Sequence, residues 1–150
     1  IYVAGVYRSD YGSALPDLQG FFIHEMVHVY QHQLKILKPI LAAIGETLKH
    51  GFNYSKAYQY TLSTKKDLLD YDIEQQAQIV EDYFRIYHLH LSPIPGFLQN
   101  TLIDAKSHRL FHKALGSFLA NLNYARHKTT CKRVGSRKHS RVACKRVLIK

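Results

Sequence analysis

The stretch Asp17-Leu18-Gln19-Gly20-Phe21-Phe22-Ile23-His24-Glu25-Met26-Val27-His28-Val29-Tyr30-Gln31 decides the fold. Apolar residues recur through it at helical spacing, with Phe22, Met26, Val29 and Ile36 on one side, so the sequence predicts a helix from Leu18 to about Leu37. Asp17 can cap its start, and Pro39 marks its end. Inside it, His24-Glu25-Met26-Val27-His28 is an H-E-x-x-H sequence. At 3.6 residues per turn, positions i and i+4 lie one above the other, so both imidazoles can reach a single cation about 2 Å away. Glu25 then projects beside the metal, where it can take a proton from an activated water and pass it to a leaving amine. The plain alternative is a pair of ordinary histidines on a helix surface.

A catalytic zinc has three protein ligands and an open position, so a third donor is needed. The pattern H-E-x-x-H-x-x-G-x-x-H would put its glycine at Gln31 and its last histidine at Leu34, which excludes that class. His32 lies two turns from His24, about 12 Å along the axis, and reads as solvated. The better candidate is Glu74 in Tyr71-Asp72-Ile73-Glu74-Gln75-Gln76-Ala77: it begins a second helix, and Ala77 would let two helices approach closely. Glu81, seven residues on, is the alternative ligand or an acceptor for a histidine N–H.

Working outward, the opening Ile1–Tyr7 is rich in β-branched and aromatic residues and reads as a strand ending at a polar turn. A short helix is expected from about Ile40 to Lys49, closed by Gly51. Tyr54 to Leu62 is compatible with helix, and Ser63-Thr64-Lys65-Lys66 reads as a loop. Asp70 or Asp72 caps a strong helix running to about His88, with Asp72 and Gln75 spaced as a capping box, and Ser92-Pro93-Ile94-Pro95-Gly96 ends that segment. Phe97 to about Tyr124 reads as one or two further helices with a break near Ser107 or Gly116. The expected fold is mainly α (α+β), with a short N-terminal strand region beside the active-site helix.

A length of 150 residues suits one domain with one core, and no window approaches the 18 apolar residues of a membrane span. The net charge of +10 is unevenly placed. Residues 1–125 hold eleven Lys/Arg against all eleven Asp/Glu, whereas 126–150 hold the other ten basic residues and no acid. The chain therefore divides into a neutral body, 1–125, and a basic tail, 126–150, with no helix or strand period and expected to be flexible. As a functional arm the tail would touch an anionic surface such as nucleic acid, lipid or cell-envelope polymer, but it lacks interleaved aromatics for base stacking. Cys131 and Cys144 show no C-x-x-C spacing and are expected to be free, a disulfide being the alternative. Starting at Ile1 without a Met or a leader, the chain reads as a piece of something longer.

His24-Glu25-x-x-His28 with Glu74-x-x-Ala77 resembles the gluzincin branch of the zincin metallopeptidases, in which two histidines from one helix and a glutamate from the next bind zinc. More narrowly, Phe22–Gln31 and Tyr71–Phe84 look like zincin-like domains attached to bacterial secretion-associated and polymorphic-toxin proteins. The resemblance covers residues 1 to about 90. It implies a zinc metallopeptidase with His24, His28 and Glu74 as ligands and Glu25 as general base, a peptide or protein substrate, and a secreted or delivered effector domain. It also implies that the first strand lines the cleft and binds extended peptide. A zinc amidase acting on cell-wall peptide would use the same ligands, and a non-catalytic module would work through the basic tail alone. Zincins commonly add a Tyr or His that stabilises the oxyanion; Tyr58, Tyr60, Tyr83 and His88 are all available, and the sequence does not choose among them.

Overall fold

The computed structural model describes residues 7–34, 55–99, 104–127, 129–134 and 141–146. Among these the chain is mainly helical: α1 (Pro16–Gln33), α2 (Ser55–Tyr58), α3 (Ile73–Tyr87) and α4 (Ala105–Ala120), with 3-10 turns at Leu68–Asp70 and Tyr124–His127. A two-stranded ribbon, β1 (Thr129–Val134) against β2 (Arg141–Arg146), follows.

Helix α3 is central because it is buried on several sides, from Ile73, Ala77 and Val80 to Gln76, Glu81, Asp82 and Ile86. Helices α1 and α4 both pack on it. The core runs from Val27 of α1 through Ala77, Ile79 and Val80 to Phe111, Ala114 and Leu115 of α4, closed by Leu62, Leu68 and Tyr71 from the intervening segment. Asp72 is the residue before α3, and its N–H donates to Gln75 Oε1 at 3.2 Å, the half of the expected capping box that fixes the helix start.

Several expectations need correcting. Helix α1 begins one residue before Asp17: Leu15 is its cap residue and Pro16 its first, a position where a missing N–H costs nothing. Its buried face is Gly20, His24, Val27 and Gln31, whereas Phe22, Met26 and Val29, the side expected to face a core, are exposed among the described residues. The histidine face turns inward because the carboxylates of α3 lie there. Tyr54 to Leu62 is helical only over Ser55–Tyr58; Tyr60 instead forms a parallel bridge to Leu98. Phe97 and Leu98 are likewise not helical, and α4 has no break at Ser107 or Gly116. Ser107 instead starts the helix, its N–H donating to Asp104 Oδ1 and its hydroxyl accepting from the Asp104 N–H.

The basic tail is not without regular structure. Its strands pair antiparallel with Cys131 opposite Cys144. A two-stranded ribbon needs no buried face to set its register, so an alternating pattern need not mark it. The expected strand Ile1–Tyr7 lies outside the described residues save for Tyr7, which is exposed and in no strand. Helix α1 ends at Gln33 with Leu34 as its cap residue, short of the expected Leu37, and the helix expected at 40–49 lies outside the described residues.

Candidate metal centre and cleft

The centre is built where α1 packs along α3, from Glu74 to Arg85. Close approach there needs Gly20: a Cβ at that position would sit 3.1 Å from Glu81 Oε1 and 3.4 Å from Arg85 Nη1. With α1 that close, His24 and His28 face Glu74 in the first turn of α3. Glu74 Oε2 stands 3.4 Å from His24 Nε2 and 3.3 Å from His28 Nε2. Ligand atoms of His24, His28 and Glu74 all lie within 4.8 Å of one another, and these three residues could hold a metal ion.

The other ring nitrogens explain why both Nε2 atoms point the same way. His24 Nδ1 lies 3.1 Å from Glu81 Oε2, and a carboxylate accepts, so Nδ1 carries the hydrogen. His28 Nδ1 lies 2.8 Å from Gln31 Oε1. Gln31 Nε2 donates to the Ile73 carbonyl at 3.0 Å and to Gln76 Oε1 at 3.2 Å, so Gln31 Oε1 is left to accept. Gln76 in turn donates to the Tyr71 carbonyl at 2.7 Å. Both imidazoles are thereby held in the tautomer that leaves the Nε2 lone pair for a cation, the arrangement that orients metal-binding histidines in general.

The donor set fits a metal on two further counts. Glu74 Oε2 is buried and makes no well-formed hydrogen bond, its neighbours being the two Nε2 atoms at 3.3 and 3.4 Å, so an ionised oxygen there needs a cation or protons on those rings to satisfy it. In a tetrahedral site with bonds of about 2.0–2.1 Å, donors stand about 3.3–3.4 Å apart, which matches the two Glu74 distances.

The charges agree. Burial works against a charge on His24, but the carboxylates of Glu74 and Glu81 outweigh it and push the imidazole up to about 9. His28 is raised against the same opposing burial by Glu74 and Gln31. Burial would raise Glu74, yet the two imidazoles beside it bring it down to about 2. Without a metal, protons take the place of the cation between these groups.

Beside the centre lies a cleft of about 440 Å³, with His24 and Glu25 on its wall. Phe21, Tyr58, Ile94, Pro95 and Phe97 supply its apolar surface. The wall formed by 94–97 is fastened to α3 by Asp82, which is fully buried. Asp82 Oδ1 accepts from the Ile94 N–H at 3.0 Å and from Gln78 at 3.1 Å, and Oδ2 accepts from the Tyr60 hydroxyl at 2.7 Å. Burial pushes the Asp82 carboxyl up to about 6, the neighbouring Glu81 adding to it, although all three hydrogen bonds oppose the shift. Tyr60 also ties its backbone to the wall, its N–H donating to the Phe97 carbonyl at 2.9 Å. At the far side Arg85 joins the two helices through Asp17 at 2.8 Å and reaches the Ser92 carbonyl at 3.2 Å.

The structure thus brings together His24, His28 and Glu74, puts Glu25 at the cleft, and gives Glu81 the role of partner to His24 on the side away from Glu74. His32 is exposed, as expected. Of the four phenol and imidazole candidates, Tyr58 lines the cleft, its ring 5.7 Å from that of His24. Tyr60 is committed to Asp82, while Tyr83 and His88 stand against each other, and Tyr83 against His112 of α4. Gln31 carries no functional signature in the sequence; its position one turn after His28 on the same face is the signal that points to it.

One curated protein shares part of this sequence. The type VI secretion system spike protein VgrG2b of Pseudomonas aeruginosa is 46% identical over 66 residues, which is 44% of this chain and 6% of that protein. No family model matches the chain. No solved structure matches it either. No described helix is long and apolar enough to cross a membrane.

Proposed function

We propose that this chain is a zinc-dependent metallopeptidase domain that hydrolyses peptide bonds, delivered as an effector part of a larger secretion-associated protein. The observation that carries the reading is the convergence of two Nε2 atoms on one carboxylate oxygen of Glu74, with His24 and Glu25 lining the adjoining cleft. Two imidazoles and a carboxylate suit zinc, which is the reason for choosing it over harder cations that want an all-oxygen shell. His24, His28 and Glu74 would hold the zinc, which would supply Lewis acidity for a carbonyl and for water near neutral pH.

The chain's own residues do the rest. Glu25, next to His24 in sequence and on the cleft wall, accepts a proton from the attacking water and hands it to the departing amine. Glu81 and Gln31 hold the two rings and keep their Nε2 atoms free of protons when the centre is loaded. The apolar wall from Phe21 to Phe97 keeps water away from one side of the substrate. Delivery is supported by the partial likeness to a protein named as a type VI secretion spike.

Metal analysis combined with a peptide-cleavage assay tests the reading. The protein should hold one zinc per chain that survives dialysis, and Glu25→Gln should keep it while losing turnover by roughly 10²–10⁴-fold. Turnover at the normal rate in Glu25→Gln would remove the general-base role, and a metal-free protein that still cleaves peptide would remove the zinc.

A further inference from the structure

Ten histidines in 150 residues is more than one metal centre uses, and a second pair repeats its spacing. His108 and His112 sit four apart within α4, which runs without a break from Ala105 to Ala120. Their rings are 4.3 Å apart between centroids, closer than the 4.9 Å between His24 and His28. Both are exposed, and neither lines the cleft.

Their surroundings restrict the rings without covering them. From α3, Tyr87 stands edge-on to His108 with centroids 5.1 Å apart, and Tyr83 stands edge-on to His112 at 6.0 Å. Each imidazole therefore has an aromatic wall on one side, which limits the rotamers it must give up on binding a ligand. We infer that His108 and His112 form a second, exchangeable transition-metal site, a two-imidazole clip that takes a borderline divalent cation of the Cu²⁺, Ni²⁺ or Zn²⁺ class.

The donor type sets that class. Neutral imidazole suits these ions, and affinity for a given nitrogen site rises along the first row to Cu²⁺, while Mg²⁺ and Ca²⁺ prefer oxygen. Among the described residues no third His, Cys, Asp or Glu completes a close group around this pair, so water fills the remaining positions. Lys106, Arg109 and Lys113 on the same helix add positive charge. Fewer donors and neighbouring cations both make this site weaker than the first. The inference stands apart from the hydrolase reading, because it uses none of the same residues.

Titrating the full chain with Cu²⁺, followed by calorimetry and by the nitrogen splittings in electron paramagnetic resonance, is the test. A weaker equivalent should bind with two nitrogen donors. His108→Ala and His112→Ala should each weaken it about tenfold or more and leave one nitrogen, whereas His90→Ala, at another exposed histidine, should leave it unchanged. Both altered side chains are exposed, so the fold should survive, and circular dichroism of each variant checks that. Loss of the equivalent in His90→Ala to the same degree, or its persistence in both α4 variants, would overturn the inference.

Discussion

Two pairs of histidines in this molecule share one spacing and differ in almost everything else. His24 and His28 lie on the buried face of α1, each with its Nδ1 engaged and its Nε2 directed at Glu74. His108 and His112 lie on the open face of α4 with phenol rings for neighbours and no carboxylate in a close group. Spacing on a helix brings two rings together in both places. What differs is the second helix: α3 offers α1 three functional side chains along one face, Glu74, Glu81 and Arg85, and offers α4 aromatic rings instead. A ligand pair becomes a strong centre when a facing element adds charge and fixes the tautomer.

The most direct way to break this contrast is to make the first pair resemble the second. Glu74→Ala leaves two imidazoles without their third donor. Metal affinity, measured by competition with a chelator of known strength, should fall by more than the roughly 100-fold that loss of a supporting partner costs. An affinity within tenfold of the unaltered protein would mean that Glu74 is no ligand.

Acidity sharpens the same contrast. In the metal-free protein the raised His24 stabilises the fold fully below the unfolded value of 6.5 and loses that contribution as pH rises through about 9. The depressed Glu74 stabilises it fully above 4.5 and loses its contribution as pH falls through about 2. Together they favour the metal-free fold most between about 4.5 and 6.5. Metal must displace these protons, so its affinity should climb with pH toward 9, up to about tenfold per unit for each proton released. Melting curves with zinc and with chelator should therefore draw apart as pH rises from 6 to 8. Parallel curves would mean that the protons and the metal do not share a site.

The smallest expected effect comes from a residue that touches no metal. Gln31→Leu removes the acceptor from His28 Nδ1 and frees that ring to change tautomer. Affinity should drop roughly 10–100-fold, less than for Glu74→Ala. It also removes a second donor from the Ile73 carbonyl and leaves Gln76 Oε1 without its Gln31 partner, for about 1–3 kcal/mol of stability, to be measured by urea unfolding.

These residues differ in how plainly the sequence shows them. The His24/His28 pair with Glu25 is legible because metal binding demands one residue type at one interval. Glu74 is legible as an acid at the head of a helix followed by the small Ala77, which is fully buried against the core. Glu81 is only half legible: the choice between ligand and partner depends on which ring nitrogen it meets, and that depends on how α1 and α3 cross. Gln31 is hidden because glutamine has no metal signature of its own. The face of α1 is misread for a related reason: Phe22, Met26 and Val29 count as apolar in any pattern, whereas the face that packs on α3 is made of Gly20, His24, Val27 and Gln31. Gly20 works by the atom it lacks, and a hydrophobic period does not register that. The ribbon in the basic tail is illegible because pairing of two strands alone imposes no alternation.

Adjacent residues of α3 divide two tasks between them. Glu81 steadies His24, and Asp82 anchors the 92–98 segment through the Ile94 N–H. Because the anchor grips a backbone amide, the side chains at 94, 95 and 97 can change without loosening it, provided position 94 keeps its N–H and Gly96 its left-handed backbone. The molecule thus separates what must stay constant from what is free to vary: a lineage could retune the shape of its cleft by editing three positions while the chemistry beside it went untouched.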